Sequence, residues 1–322
     1  MSDDAIIVEG LTKRFGSITA VDALSFRVHA GELFGLVGPD GAGKTTTLRI
    51  LAGVMSPDAG AAHVAGFDVA RQPERVKRHI SYMPQRFGLY EDLTVEENIR
   101  FYADLFGVRH AEREANAARL LAASGMSEFR SRLAGKLSGG MKQKLGLTCA
   151  LIHKPRVILL DEPTNGVDPV SRRDFWRILY SLQSEGVTIL YSTAYLDEAE
   201  RCHRVALLHA GIILFCEAPQ ALQQRMAGAF VAVRTAEPRR ARDVLAGAAG
   251  VRGALLVGDG VHLTVDDAAR RVPELRAQLA AAAAPFDDVA PVTPSIEDLF
   301  VATVAAQTNA RNGSQMKTDG RG

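Results

Sequence analysis

Few folds are open to a chain that carries Gly38-Pro39-Asp40-Gly41-Ala42-Gly43-Lys44-Thr45-Thr46 directly after a short apolar run. The run, Leu33-Phe34-Gly35-Leu36-Val37, is nearly all apolar, as a parallel strand covered on both faces should be. After it, Thr45 to Leu51 reads as a helix with Leu48 and Leu51 facing inward. The stretch between them fits G-x-x-x-x-G-K-[ST], the phosphate-binding loop. Strand, glycine turn and helix N-terminus aim several backbone N–H groups and the positive end of a dipole at one anion. The glycines let the backbone close around phosphate without Cβ clashes. Lys44 is then expected to reach the β- and γ-phosphates, and the Thr45 hydroxyl to ligate Mg²⁺. Taken alone, the loop specifies a nucleotide and nothing further.

Residues 5–37 alternate apolar and polar positions around turns and read as antiparallel strands leading into the buried one. Phe15 stands there beside a turn glycine, and either stacks on a flat base or packs in the core. His63 to Met83 alternates again, with Gly60 and Gly66 as turns, and ends on Pro84 and an exposed Gln85. Thr94 with Glu97 makes a capping box, which starts a helix continued by apolar positions at Ile99, Tyr102, Leu105 and Phe106. A second helix over 112–124 completes an inserted helical lobe between Gln85 and Leu137. Ser138-Gly139-Gly140 follows, either a loop or a second helix start with exposed N–H groups. The strand Val157 to Leu160 ends in Asp161-Glu162, which puts the first carboxylate within reach of Mg²⁺ and the second near the γ-phosphate. A turn over Asn165 to Pro169, a helix from Ser171 through Leu182 and a strand over 187–192 complete a parallel sheet with right-handed crossovers.

Length and composition narrow the setting. A chain of 322 residues favours two domains over one. The net charge of +1 argues against a nucleic-acid partner, which selects a clear basic excess. Met1-Ser2-Asp3-Asp4 is acidic and unlike a signal peptide, and no apolar run approaches the ~20 residues of a membrane span. Cys149, Cys202 and Cys216 are widely spaced and read as reduced thiols, which points to the cytoplasm.

The phosphate loop, Gln85, Leu137-Ser138-Gly139-Gly140-Met141, the Val157 to Glu162 strand and the Asn165 to Asp168 turn stand in the order of the ABC ATPases. Over about residues 5–220 the chain resembles the ATP-binding subunit of an ABC transporter, in the exporter branch with a C-terminal extension. The Gly-Pro-Asp-Gly loop is most similar to the first ATPase module of certain tandem drug-exporter subunits. The resemblance implies an α/β fold: a P-loop NTPase of the ABC type, with a mixed sheet core, an antiparallel β subdomain and a helical subdomain at about 86–150. It implies ATP and Mg²⁺, with Phe15 on adenine, Gly38 to Thr46 around the phosphates, and Thr45, Gln85 and Asp161 toward the metal. Lys44, Gln85 and Glu162 take the catalytic roles, Glu162 as general base toward water. Ser138, Gly139 and Gly140 are expected to close on ATP held by a second nucleotide-binding domain, with Asp168 linking the two sites. The implied partners are an integral membrane permease and that second domain, as homo- or heterodimer, with the chain peripheral on the inner face of the cell membrane.

One position departs from the family. Where a γ-phosphate-sensing histidine follows Ser-Thr, this chain has Ser192-Thr193-Ala194. His203 and His209 lie further along and read as surface or core residues. A hydrolysis-impaired module serving a histidine-bearing partner is therefore an alternative to a self-sufficient ATPase. A soluble ABC ATPase of translation or DNA repair is a third class. Its tandem modules, long coiled coil or zinc-binding cysteines are not visible here.

From about Pro219 alanine and arginine rise. A strand over 230–234, a helix over 238–248, a hairpin turning at Gly258-Asp259-Gly260, a helix starting at Pro273 and a strand near Val289 suggest a ferredoxin-like domain over 221–305. It closes on Pro294-Ser295-Ile296-Glu297-Asp298-Leu299-Phe300, similar to the ending of exporter ATPases. Arg239, Arg240 and Arg242 read as a solvated helix face, and 306–322 as a disordered tail.

Overall fold

The computed structural model describes residues 4–225, 229–258, 260–301 and 303–304. The expected turn residue Asp259 and the 306–322 tail lie outside the described residues. The chain divides into two compact units, Met1–Cys216 and Glu217–Gly322.

In the first unit, β1 (Asp4–Phe15) and β2 (Ile18–His29) are long antiparallel neighbours. β3 (Leu33–Val37) is buried at every residue, and its end feeds α1 (Lys44–Leu51). β4 (Ala59–Val64) and β5 (Phe67–Asp68) complete a four-stranded sheet in the order β2-β1-β4-β5. The alternation expected up to Met83 is interrupted by α2 (Pro73–His79), ahead of β6 (Ile80–Met83). This helix buries only Val76, so it leaves little apolar period to read. Pro73 at its start, Glu74 in the first turn and Lys77, Arg78 and His79 in the last turn favour it through backbone and dipole.

The helical lobe is α3 (Val95–Leu105), α4 (His110–Ala123) and α5 (Gly139–Leu151), with α3 and α4 packed against α5. The Thr94–Glu97 capping box forms at the start of α3. β7 (Val157–Asp161), α6 (Pro169–Ser184), β8 (Thr188–Thr193), α7 (Leu196–Ala199), β9 (Arg204–His209) and β10 (Ile212–Glu217) follow. The second sheet has the order β10-β9-β3-β8-β7-β6, and the β9-β3-β8-β7-β6 pairings are parallel. One apolar core joins the two sheets, with Phe26 of β2 stacked on Phe34 of β3 at 5.5 Å. Parallel strands end together, so the loops after β3, β7 and β8 meet at one edge.

The second unit contains α8 (Pro219–Gln224), β11 (Ala229–Arg234), α9 (Pro238–Leu245), β12 (Val251–Val257), β13 (Gly260–Val265), α10 (Ala268–Ala281) and β14 (Asp288–Val292). Its sheet has the order β12-β13-β11-β14, and α9 and α10 share one apolar cluster with it. α10 starts five residues before Pro273, which sits inside it. Asp267 caps it through Arg270 N–H, and Arg271 pairs with Asp266 and Glu274, which holds the turns ahead of the proline. Helical residues begin again at 296, where Ser295 and Asp298 bond each other's backbone N–H groups. Among the described residues no helix is long and apolar enough to cross a membrane.

Candidate functional site

A cleft of about 690 Å³ opens at that strand edge, lined by Phe15, Asp40 to Thr46, Gln85 and Glu162. Its floor is the loop between β3 and α1. Gly43 caps α1 with φ 103°, and a Cβ there would run into the Ala20 carbonyl oxygen. Only glycine combines that backbone with that approach. Lys44, 4% exposed, folds back along the loop and donates to Gly38 O at 2.7 Å and Pro39 O at 3.0 Å. Its Nζ also pairs with Glu162 Oε1 at 3.0 Å.

Asp161 is buried beneath Thr45. Thr45 Oγ1 and Ser192 Oγ each donate to its Oδ1 at 3.0 Å, and Tyr82 OH donates to Oδ2 at 3.2 Å. Burial, with the Asp161 carboxylate beside it, pushes the Tyr82 hydroxyl up to about 12, so it remains a donor. A hydroxyl and a carboxylate side by side are hard oxygen ligands suited to Mg²⁺. Among the described residues no group of three or more His, Cys, Asp and Glu side chains could hold a metal.

Glu162 has φ 48°, a left-handed backbone that costs a side-chain-bearing residue about 1–3 kcal/mol. Ser192 holds it there by accepting the Glu162 N–H on its carbonyl at 3.2 Å and on Oγ at 3.1 Å. Gln85 Nε2 donates to Oε2 at 3.0 Å and Asn165 Nδ2 to the same oxygen at 3.4 Å. Gln85 thus meets Glu162 in the cleft that Thr45 also lines. Phe15 is 47% exposed on the cleft rim, with Ile18 beside it, so core packing does not account for it.

Ser138, Gly139, Gly140 and Asp168 stand outside this cleft. Ser138 caps α5 through Met141 N–H, and Asp168 caps α6 through the N–H groups of Ser171 at 2.9 Å and Val170 at 3.1 Å. Those bonds hold the Asp168 carboxyl below the usual carboxylate range. The two helix starts adjoin: a Cβ on Gly140 would overlap Oγ and Cβ of Ser171. Lys144 of α5 pairs with Asp174 of α6 at 2.9 Å.

Ala194 borders a recess of about 240 Å³ with Asp40, Glu162, Thr164, Asn165, Thr193 and Tyr195. His203 does not reach it, because its Nδ1 accepts the N–H of Leu33 at the opposite end of β3. Tyr82, Ser192 and Thr193 escaped sequence reasoning, since a hydroxyl at a strand end looks the same whichever carboxylate it meets.

The family model described as ABC transporter matches residues 21–165. The doxorubicin resistance ATP-binding protein DrrA of Mycobacterium tuberculosis is 34% identical over 329 residues, covering 96% of this chain and 96% of that protein. The chain belongs to the ABC transporter family. The probable multidrug ABC transporter ATP-binding protein YbhF of Escherichia coli is 53% identical over 230 residues, covering 71% of this chain. The chain spans only 40% of the length of that relative. Among solved structures, an ATP-binding subunit of an ABC transporter matches with TM-score 0.63 and 32% identity, over 69% of this chain and 92% of that one. The two sheets and the inserted helical lobe are the ABC-type P-loop fold.

Proposed function

We propose that this chain is the ATP-binding and ATP-hydrolysing subunit of an exporter, driving a separate membrane permease through ATP-dependent dimerisation of nucleotide-binding domains. The observation that carries this is the Lys44–Glu162 pair, at 3.0 Å inside a glycine-built phosphate loop. ATP is the substrate. Phe15 offers its exposed ring to adenine, and the α1 N-terminus with the loop N–H groups receives the phosphates. Lys44 exchanges Glu162 for β- and γ-phosphate oxygens, which frees the carboxylate. Glu162 then takes a proton from a water whose oxygen attacks the γ-phosphorus, and the bridging oxygen leaves with ADP. Mg²⁺ when bound neutralises phosphate charge, and Thr45 and Asp161 are the residues that would hold it. Gln85, bonded to Glu162, orients the base before the exchange.

Ser138, Gly139, Gly140 and Asp168 face a second module rather than the chain's own cleft, which accounts for their place outside it. The permease docks on the lobe beside Gln85. There Phe87 and Tyr90 join Phe101 and Tyr102 of α3 in one aromatic cluster, with ring centroids 4.6 to 5.4 Å apart. Tyr90, Phe101, Leu105 and Phe106 are exposed, an apolar patch of the kind that marks a protein interface. The chain works on the cytoplasmic face of the membrane. The relatives named for multidrug and doxorubicin resistance support export as the direction.

The recess at Ala194 favours a second reading of the chemistry. Alanine supplies no hydrogen-bond donor there, so this chain's own site turns over slowly and a histidine-bearing partner module carries most of the hydrolysis. Direct ATP titration of wild type and Lys44→Ala tests the site. Loss of the charge-assisted bonds, about 1.5–3 kcal/mol each, should weaken binding by at least about 10-fold. Unchanged affinity would refute the role of Lys44.

A further inference from the structure

Behind the Ala194 recess a carboxylate is buried away from solvent. Glu198 of α7 is fully buried and accepts from Thr164 Oγ1 at 2.8 Å, Tyr191 OH at 2.9 Å and Thr193 Oγ1 at 2.6 Å. Trp176 Nε1 and Arg172 Nε, both on α6, approach its Oε1 at 3.5 and 3.7 Å. Burying a carboxylate is costly even when it is well bonded, and apolar residues of similar volume commonly give equal or better stability. The partners indicate what the cluster does. Thr164 lies two residues after Glu162, and Thr193 immediately precedes Ala194. Both line the recess together with Glu162 and Ala194. Arg172 and Trp176 belong to α6, the helix that Asp168 caps.

We propose that Glu198 is a positioning residue that ties the loop carrying Glu162 to the loop carrying Ala194 and to α6, holding all three in register at the γ-phosphate end of the cleft; this rests on the ATPase reading above. Glu198 does not line the cleft and takes no part in the chemistry. Its effect passes through Thr164 and Thr193 to the placement of the strained Glu162 and of whatever side chain stands at position 194.

Trp176 is the single tryptophan of the chain, so its emission reports this cluster alone. The test compares wild type, Glu198→Gln, Thr193→Val and Thr193→Ser, each with and without Ala194→His. Direct titration with labelled ATP, tryptophan emission on adding Mg·ATP, and steady-state turnover are measured on the full chain. Thr193→Val removes one hydroxyl without changing shape and covers the case in which Glu198→Gln fails to fold. ATP affinity should be retained throughout. The emission response should be present in wild type and Thr193→Ser and absent in the other two. Misplacing the loops should lower turnover by about 10–100-fold at unchanged KM. The gain from Ala194→His should disappear in those same two backgrounds and return with Thr193→Ser. Intact ATP binding, with emission, turnover and histidine gain all as in wild type, would overturn the positioning role and leave the ATPase reading standing. A wild-type chain that binds no ATP would overturn that reading, and this proposal with it.

Discussion

Ala194→His probes the chemistry of the cleft most directly. Ala194 is half-buried between Thr193 and Tyr195, on the wall of a recess of about 240 Å³. That space is several times the ~30 Å³ that a water occupies in the liquid, which leaves room beside Ala194 for a larger side chain. Asp40 and Glu162 line the same recess, and carboxylates nearby favour the protonated ring, which is a donor. A preorganised donor aimed at charge developing on a transferred phosphoryl group contributes ~2.7–4 kcal/mol to the transition state. Turnover should therefore rise by about 10²–10³-fold. KM for ATP should barely change, because the interaction strengthens only in the transition state. The assay is steady-state phosphate release by purified wild type and Ala194→His with Mg·ATP. Brisk wild-type turnover that the substitution does not improve would refute the reasoning and leave Glu162 and Gln85 sufficient by themselves.

Glu162→Gln should keep ATP binding, lower hydrolysis by about 10²–10⁴-fold and favour an ATP-dependent dimer. Unaltered turnover and no dimer by gel filtration with Mg·ATP would remove Glu162 as the base. Gly140→Ala drives a methyl into Ser171, so the urea unfolding midpoint should fall by the equivalent of about 1–3 kcal/mol and recover with Ser171→Gly. An unmoved midpoint would contradict the tight approach of α5 and α6. In the second unit, the Asp298 bond at 2.8 Å raises the pKa of His262, against the effect of its partial burial. Burial would raise Asp298, but the bonds from His262 and Ser295 outweigh it and lower it. The pair therefore stabilises the segment from residue 296 fully between about pH 4 and 6.5, the ordinary carboxylate and imidazole values. Its contribution is lost as pH rises through the raised His262 value, and also as pH falls through the lowered Asp298 value. Hydrogen-exchange protection of residues 296–301 in the full chain should follow that profile, and His262→Gln should abolish its alkaline limb. A pH-independent wild type would count against the pair.

By itself the sequence determined the pieces whose physics is local. A glycine that must adopt a left-handed backbone, a Ser or Thr that must cap a helix and an apolar run that must be buried on both faces all leave their mark within a few residues. The phosphate loop, the Thr94 capping box and the β7 strand were legible for that reason, whereas Ser138-Gly139-Gly140 stayed open between loop and helix start until the structure showed Ser138 capping α5. Two local readings met competing forces: α2 lacks an apolar period, and α10 runs through Pro273 because capping and ion pairs hold its first turns. Tertiary structure alone decided which side chains meet. Thr45 and Asp161 are 116 positions apart and become neighbours because parallel strands end at one edge. In Asp197-Glu198-Ala199-Glu200 the three acids are alike as sequence, yet only Glu198 is buried, since α7 turns that one toward Thr164, Tyr191 and Thr193. Spacing along a chain encodes backbone geometry, whereas burial of a charge depends on donors brought in from distant strands.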